Sequence, residues 1–108
     1  MVADIMSEFG LTTQTIEKIH YVLSQFPLLD RVVLYGSRAK GSFRNGSDID
    51  LTLIGDQLTH SDLREIENRL DDLYLPYSFD VSLCHHIENQ DLIQHIARFG
   101  KEFFIRKT

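Results

Sequence analysis

The chain has 108 residues, 43% hydrophobic and 25% charged, with one cysteine (Cys84) and a formal net charge of −5. This composition excludes a disordered chain, a collagen-like repeat and an internal disulfide, and gives room for one domain over residues 1–108. Its acidic balance speaks against a general grip on nucleic-acid backbone, the lack of any long apolar run speaks against a membrane span, and the lone cysteine fits a reducing, cytoplasmic setting.

Ile16, Ile19, Leu23 and Phe26 recur at near-helical spacing behind Thr12 and Thr13, and Pro27 stops the run. That predicts a helix over 12–25. Arg31 to Tyr35 is short, rich in Val and Leu and closed by Gly36, which predicts a strand. From Gly36 to Ser47 small and polar residues predict a loop, with room for one helical turn after Ser37. Between Arg31 and Ser47 stand four basic residues, Arg31, Arg38, Lys40 and Arg44, and no acid.

Asp48 to Ile54 alternates, with Asp48, Asp50 and Thr52 on one face and Ile49, Leu51 and Leu53 on the other. A helix from about His60 to Tyr74 follows, opened by a capping box from Thr59 to Asp62. Ser78 to Leu83 alternates again, placing Asp80 between Phe79 and Val81. Asn89 caps a helix carrying Leu92, Ile93, Ile96 and Ala97, with Gly100 expected in a left-handed C-terminal cap. Glu102 to Arg106 reads as a last edge strand. The order is α-β-β-α-β-α-β, an α+β arrangement in which helices cover a small sheet.

Chemistry concentrates between Gly36 and Asp50. Residues i and i+2 of a strand share a face, so Asp48 and Asp50 repel each other unless a cation lies between them. Ionised carboxylates are hard oxygen donors, suited to Mg²⁺ completed by water and phosphate oxygens. Asp80 has the same alternation on its own strand. Were the two strands neighbours, three carboxylates would gather, and Asp80 could take a proton from an attacking hydroxyl. The Gly36-Ser37 turn offers close backbone approach to a phosphate and a hydroxyl donor. Two rival motifs fail: Ser42 stands where a P-loop needs Lys, and an EF-hand begun at Asp48 meets Leu53 and Thr59 where it needs Gly and Glu. Cys84, His85 and His86 have no second cluster at zinc-like spacing, and adjacent strand residues face opposite ways. His20 and His95 read as surface or core-edge positions on amphipathic helices. Phe99, Phe103 and Phe104 read as core or interface.

In combination, Gly36-Ser37-Arg38-Ala39-Lys40-Gly41, then Ser47-Asp48-Ile49-Asp50-Leu51, then Phe79-Asp80-Val81 resemble the minimal nucleotidyltransferases of the DNA polymerase β-like superfamily. The likeness spans roughly residues 12–106. Lys40 stands where many relatives carry Arg, which keeps the charge. The resemblance implies a palm-like fold with a small mixed sheet, binding of an NTP, usually ATP, and two Mg²⁺ ions. Asp48, Asp50 and Asp80 would be the metal-binding and catalytic residues. Gly36 and Ser37 would hold the β- and γ-phosphates, with Arg38, Lys40, Arg44 and Ser47 as further nucleotide contacts. It also implies a small helical partner of the HEPN type, which this chain, as an antitoxin, would modify with AMP. Two alternatives are the catalytic subunit of a two-component small-molecule transferase and a module that neutralises its partner by contact alone.

Overall fold

Helix formation in this chain follows its caps and its apolar stripes. The computed structural model describes residues 6–107, and residues 1–5 and 108 of the expected domain lie outside that range. A short antiparallel pair, β1 (Met6–Glu8) and β2 (Leu11–Thr12), leads into helix α1 (Thr13–Ser24). Thr12 caps α1, its hydroxyl oxygen accepting from the Thr15 N–H at 3.1 Å. Strand β3 (Arg31–Tyr35), the one-turn helix α2 (Ser37–Lys40) and strand β4 (Ile49–Ile54) come next. Helix α3 (His60–Asp71) opens with the expected capping box, Thr59 and Asp62 each accepting the other's backbone N–H. Strand β5 (Phe79–Leu83) ends in a 3₁₀ turn over Cys84–His86. Helix α4 (Gln90–Phe99) is capped by Asn89, and strand β6 (Lys101–Ile105) closes the order.

The four longer strands form one mixed sheet in the order β5-β4-β3-β6. Strand β3 runs antiparallel to both β4 and β6, whereas β4 and β5 run parallel. Val32, Leu34, Ile49, Leu51, Leu53, Val81 and Leu83 share one face and pack with Ile19, Val22 and Leu23 of α1 and Ile66 and Leu70 of α3. Burying each such side chain contributes about 1.5–3 kcal/mol relative to exposing it. The main core cluster therefore lies on one side of the sheet, while α4 helps bury Val33 and Tyr35 on the other. That leaves the other face of β4 and β5 to Asp50, Thr52, Asp80 and Ser82.

Three expectations need correction. The β1–β2 pair adds to the expected order, because strands of two or three residues are too short to show periodicity, whereas α2 is the helical turn expected after Ser37. Gly100 is not left-handed but extended (φ −61°, ψ 142°), since β6 starts at the very next residue. A β-carbon there would overlap the Ile96 carbonyl and lie 2.7 Å from Val33 Cγ1, so glycine is needed for closeness rather than for handedness. Finally, His85 and His86 do not face opposite ways. Strand β5 stops at Leu83, and the 3₁₀ turn brings their ring centroids within 4.3 Å, with His60 4.8 Å from His86.

Candidate active site

Strand pairing decides where the acids fall. In the parallel register of β4 and β5, Asp50 stands directly beside Asp80, so both carboxylates leave the same face of adjacent strands. Asp48 precedes β4 and is exposed, as is Asp80, while Asp50 is half-buried. The repulsion expected of such a group is present. Burial first, then the Asp80 and Asp48 charges, push the Asp50 carboxyl up to about 6, against a smaller opposing pull from Arg38. The two ion pairs among the described residues, Arg31–Glu102 and Arg69–Glu65, lie elsewhere, so neither neutralises these acids.

The turn after β3 closes on the same carboxylate. Tyr35 is the cross-strand partner of Asp50, and Gly36 follows it with φ +78°, a conformation favourable only for glycine. A β-carbon on Gly36 would overlap Asp50 Oδ2. Glycine is thus demanded twice, by the backbone angle and by the carboxylate packed against it. Ser37 opens α2, half-buried beside it.

A family model for polymerase beta, nucleotidyltransferase matches residues 17–108. The chain belongs to the polymerase β nucleotidyltransferase family. No curated protein matches it significantly in sequence. Its fold is similar to a chain of a toxin–antitoxin complex solved with AMP-PNP (TM-score 0.69, 22% identity, 85% of this chain and 74% of that one). It is also similar to a chain of the complex between a tri-AMPylated Shewanella oneidensis HEPN toxin and its MNT antitoxin (TM-score 0.64, 20% identity, 86% and 71%). A third likeness is to a chain of the MntA–HepT toxin–antitoxin complex (TM-score 0.63, 20% identity, 86% and 72%). At these identities the likeness is one of fold. No helix among the described residues of this nucleotidyltransferase is long and apolar enough to cross a membrane.

The basic residues of this family member do not all sit where a triphosphate contact is expected. Arg38 is the clear correction. It is 3% exposed, with Nε and Nη2 donating to the Ser47 carbonyl (3.1 and 2.9 Å) and Nη1 to the Phe9 carbonyl (2.9 Å). The Phe43 and Tyr77 rings lie 5.3 and 4.8 Å from its guanidinium carbon. Arg38 therefore ties the N-terminal hairpin to the loop ahead of β4, and reaches the acids only as a field acting on Asp50. Lys40 is exposed, its Nζ 5.1 Å from the Phe99 ring centroid. Ser47 closes a turn, its hydroxyl oxygen accepting the Arg44 N–H at 2.8 Å. Arg44 helps line a cavity of about 230 Å³ with Phe43, Asn45, Pro76 and Tyr77, which none of the three acids borders.

Two side chains at the site lack any signal in the sequence spacing. Tyr35 is buried near the acids. Its burial, together with the Asp80 and Asp50 charges, raises the phenol above its ordinary range, against the nearby Ser82 hydroxyl, which pulls it down. His95 reaches from α4 to accept the Gly36 N–H at Nε2, 3.1 Å away. On the helix wheel His95 is merely the polar flank of an apolar stripe, and only the packing of α4 beside β3 reveals the contact.

Whether these residues suit a divalent ion can be judged from the donor set. Among the described residues no three Asp, Glu, His or Cys side chains are placed to enclose an ion on their own. Mg²⁺ does not require that. It is usually held by one or two carboxylates, with waters and substrate phosphates completing its octahedron. The adjacent Asp50 and Asp80, mutually repelling and without a cationic side chain between them, fit such an open, half-built site. The His60, His85 and His86 cluster does not form a metal cage.

Proposed function

We propose that this protein is a Mg²⁺-dependent nucleotidyltransferase that moves AMP from ATP onto a hydroxyl of a small helical HEPN-type partner, as the antitoxin of a toxin–antitoxin pair. The observation carrying this reading is the in-register placement of Asp50 beside Asp80, with Asp48 just ahead and the Gly36–Ser37 turn closed against Asp50. Family membership supplies the reaction class. The choice of AMP and of the partner draws support from the fold neighbours, one solved with AMP-PNP and another with an AMPylated HEPN toxin.

Asp48 and Asp50 would hold the metal, with Asp80 completing a second position. Bound Mg²⁺ would offset charge on the triphosphate and on the departing pyrophosphate. The chain's own part is positioning. Gly36 and Ser37 admit the β- and γ-phosphates close to the backbone, which aligns the α-phosphorus with the acids. An acceptor hydroxyl oxygen forms the new bond to the α-phosphorus, and the bond from that phosphorus to the pyrophosphate oxygen breaks. The hydroxyl proton passes to Asp80, the more exposed member of the pair. Lys40, exposed at the end of the turn, serves the nucleotide as a cation.

The test is incubation with α-labelled ATP, Mg²⁺ and the co-purified helical partner. Label on a partner hydroxyl is the expected result. Transfer to a small molecule alone would replace the partner as acceptor, and no transfer to any acceptor would overturn the reading.

A further inference from the structure

We propose that His95 is a positioning residue for the nucleotide site, a latch from α4 that holds the Gly36 peptide in its working conformation. The inference rests on the nucleotidyltransferase reading above. The β3–β4 ladder ends at the Tyr35–Asp50 pair, so the sheet no longer fixes the chain at Gly36. Glycine is the residue least able to hold one backbone conformation unaided. The Gly36 N–H instead donates to His95 Nε2 at 3.1 Å. An accepting Nε2 means a neutral imidazole with its proton on Nδ1.

The imidazole is itself held. Its ring meets Tyr35 edge-on, centroids 6.1 Å apart, and packs at 5.3 Å against Phe99, which also lies under the Lys40 ammonium. Helix α4 therefore touches both ends of the turn, Tyr35 before it and Lys40 after it. Because Asp50 Oδ2 packs against Gly36, a turn that swings free also loosens the carboxylate's wall. Fixing the peptide before the nucleotide arrives removes an ordering cost from binding. Since the Gly36 N–H is engaged by His95, a phosphate at the turn is met by other donors.

His95→Ala and His95→Gln separate this role from simple packing, because the Gln Oε1 can accept the same N–H whereas Ala cannot. Three readouts apply: the Kd of a non-hydrolysable ATP analogue with Mg²⁺, KM and kcat for AMP transfer, and amide exchange at Gly36 in the free protein. Expected for His95→Ala is about tenfold weaker binding and a matching rise in KM, with kcat nearly unchanged, as for loss of one hydrogen bond acting equally in ground and transition states. Gly36 exchange should quicken about tenfold. His95→Gln should restore both to within about threefold of wild type. If wild type binds the analogue and His95→Ala binds it equally well, the latch is refuted while the nucleotide site stands. If both variants weaken binding alike, with no rescue by Gln, the hydrogen bond is not the cause and the latch is again refuted. If wild type binds no nucleotide, the functional reading falls and the role of His95 falls with it.

Discussion

Asp50 is the residue on which the site's electrostatics turn. Its carboxyl titrates near 6 in the folded chain, raised by burial and by two like charges, against about 4 for an unperturbed Asp. Between those values the folded state holds more protons than the unfolded one, so stability falls as pH rises from about 4 to 6 and stays lower above that. With this half-exposed group discounted for solvent screening, the effect is roughly 1–2 kcal/mol. Asp50→Asn should therefore raise the melting temperature of the metal-free protein at pH 7 and flatten its profile between pH 4 and 6, while abolishing transfer. Thermal melts at several pH values check this, and a neutral variant less stable than wild type at pH 7 would contradict it. Gly36→Ala should act in the opposite sense. Its β-carbon overlaps Asp50 Oδ2 at a backbone angle that L residues rarely adopt, so a loss of about 1–3 kcal/mol in denaturant melts and a loss of nucleotide binding are expected together.

At the scale of elements, the site is assembled by neighbours that hold short segments in place. Arg38 is the main one, joining the Phe9 carbonyl of the N-terminal hairpin to the Ser47 carbonyl that precedes Asp48. Arg38→Ala should cost about 2–4 kcal/mol, from two carbonyls left without their charged donor and from lost stacking on Phe43 and Tyr77. Arg38→Lys should not rescue it, since an ammonium cannot span both carbonyls at once. Urea melts decide this, and a near-neutral Arg38→Ala would restore the expectation that Arg38 is a free phosphate contact. The same residue marks where sequence reasoning stops. Alternation on β4 and β5 and the apolar stripes of α1 and α3 identified the elements, since each spans several periods. Nothing local could show that Arg38 is buried, because two of its partners, Phe9 and Tyr77, come from distant segments on either side of it. His95 was hidden for the same reason, 59 positions from the N–H it accepts. The hairpin β1–β2 was missed because two- and three-residue strands carry no period.

In the whole molecule, burying the main core cluster on one face of the mixed sheet leaves the other face of β4 and β5 to the acids, so fold and site are two consequences of one alternation. Asp50 and Asp80 were each legible as polar members of alternating strands. Their adjacency was not, since it depends on β5 pairing with β4 in parallel, in register and at the sheet edge. The acidic balance of −5 also bears on activity. An open carboxylate site facing a polyanionic substrate works only when cations intervene, so chelation of divalent ions should weaken nucleotide binding at least tenfold. Titration of an ATP analogue with and without EDTA measures it, and equal affinities would exclude the half-built metal site. The most direct test of the account is the transfer of labelled AMP to the helical partner by wild type and by Asp48→Ala/Asp50→Ala at matched concentration. Label is expected on the partner with wild type, and at least a thousandfold less with the double variant once circular dichroism shows it to be folded. Equal labelling by the two, or equal protection of cells from the partner, would contradict it.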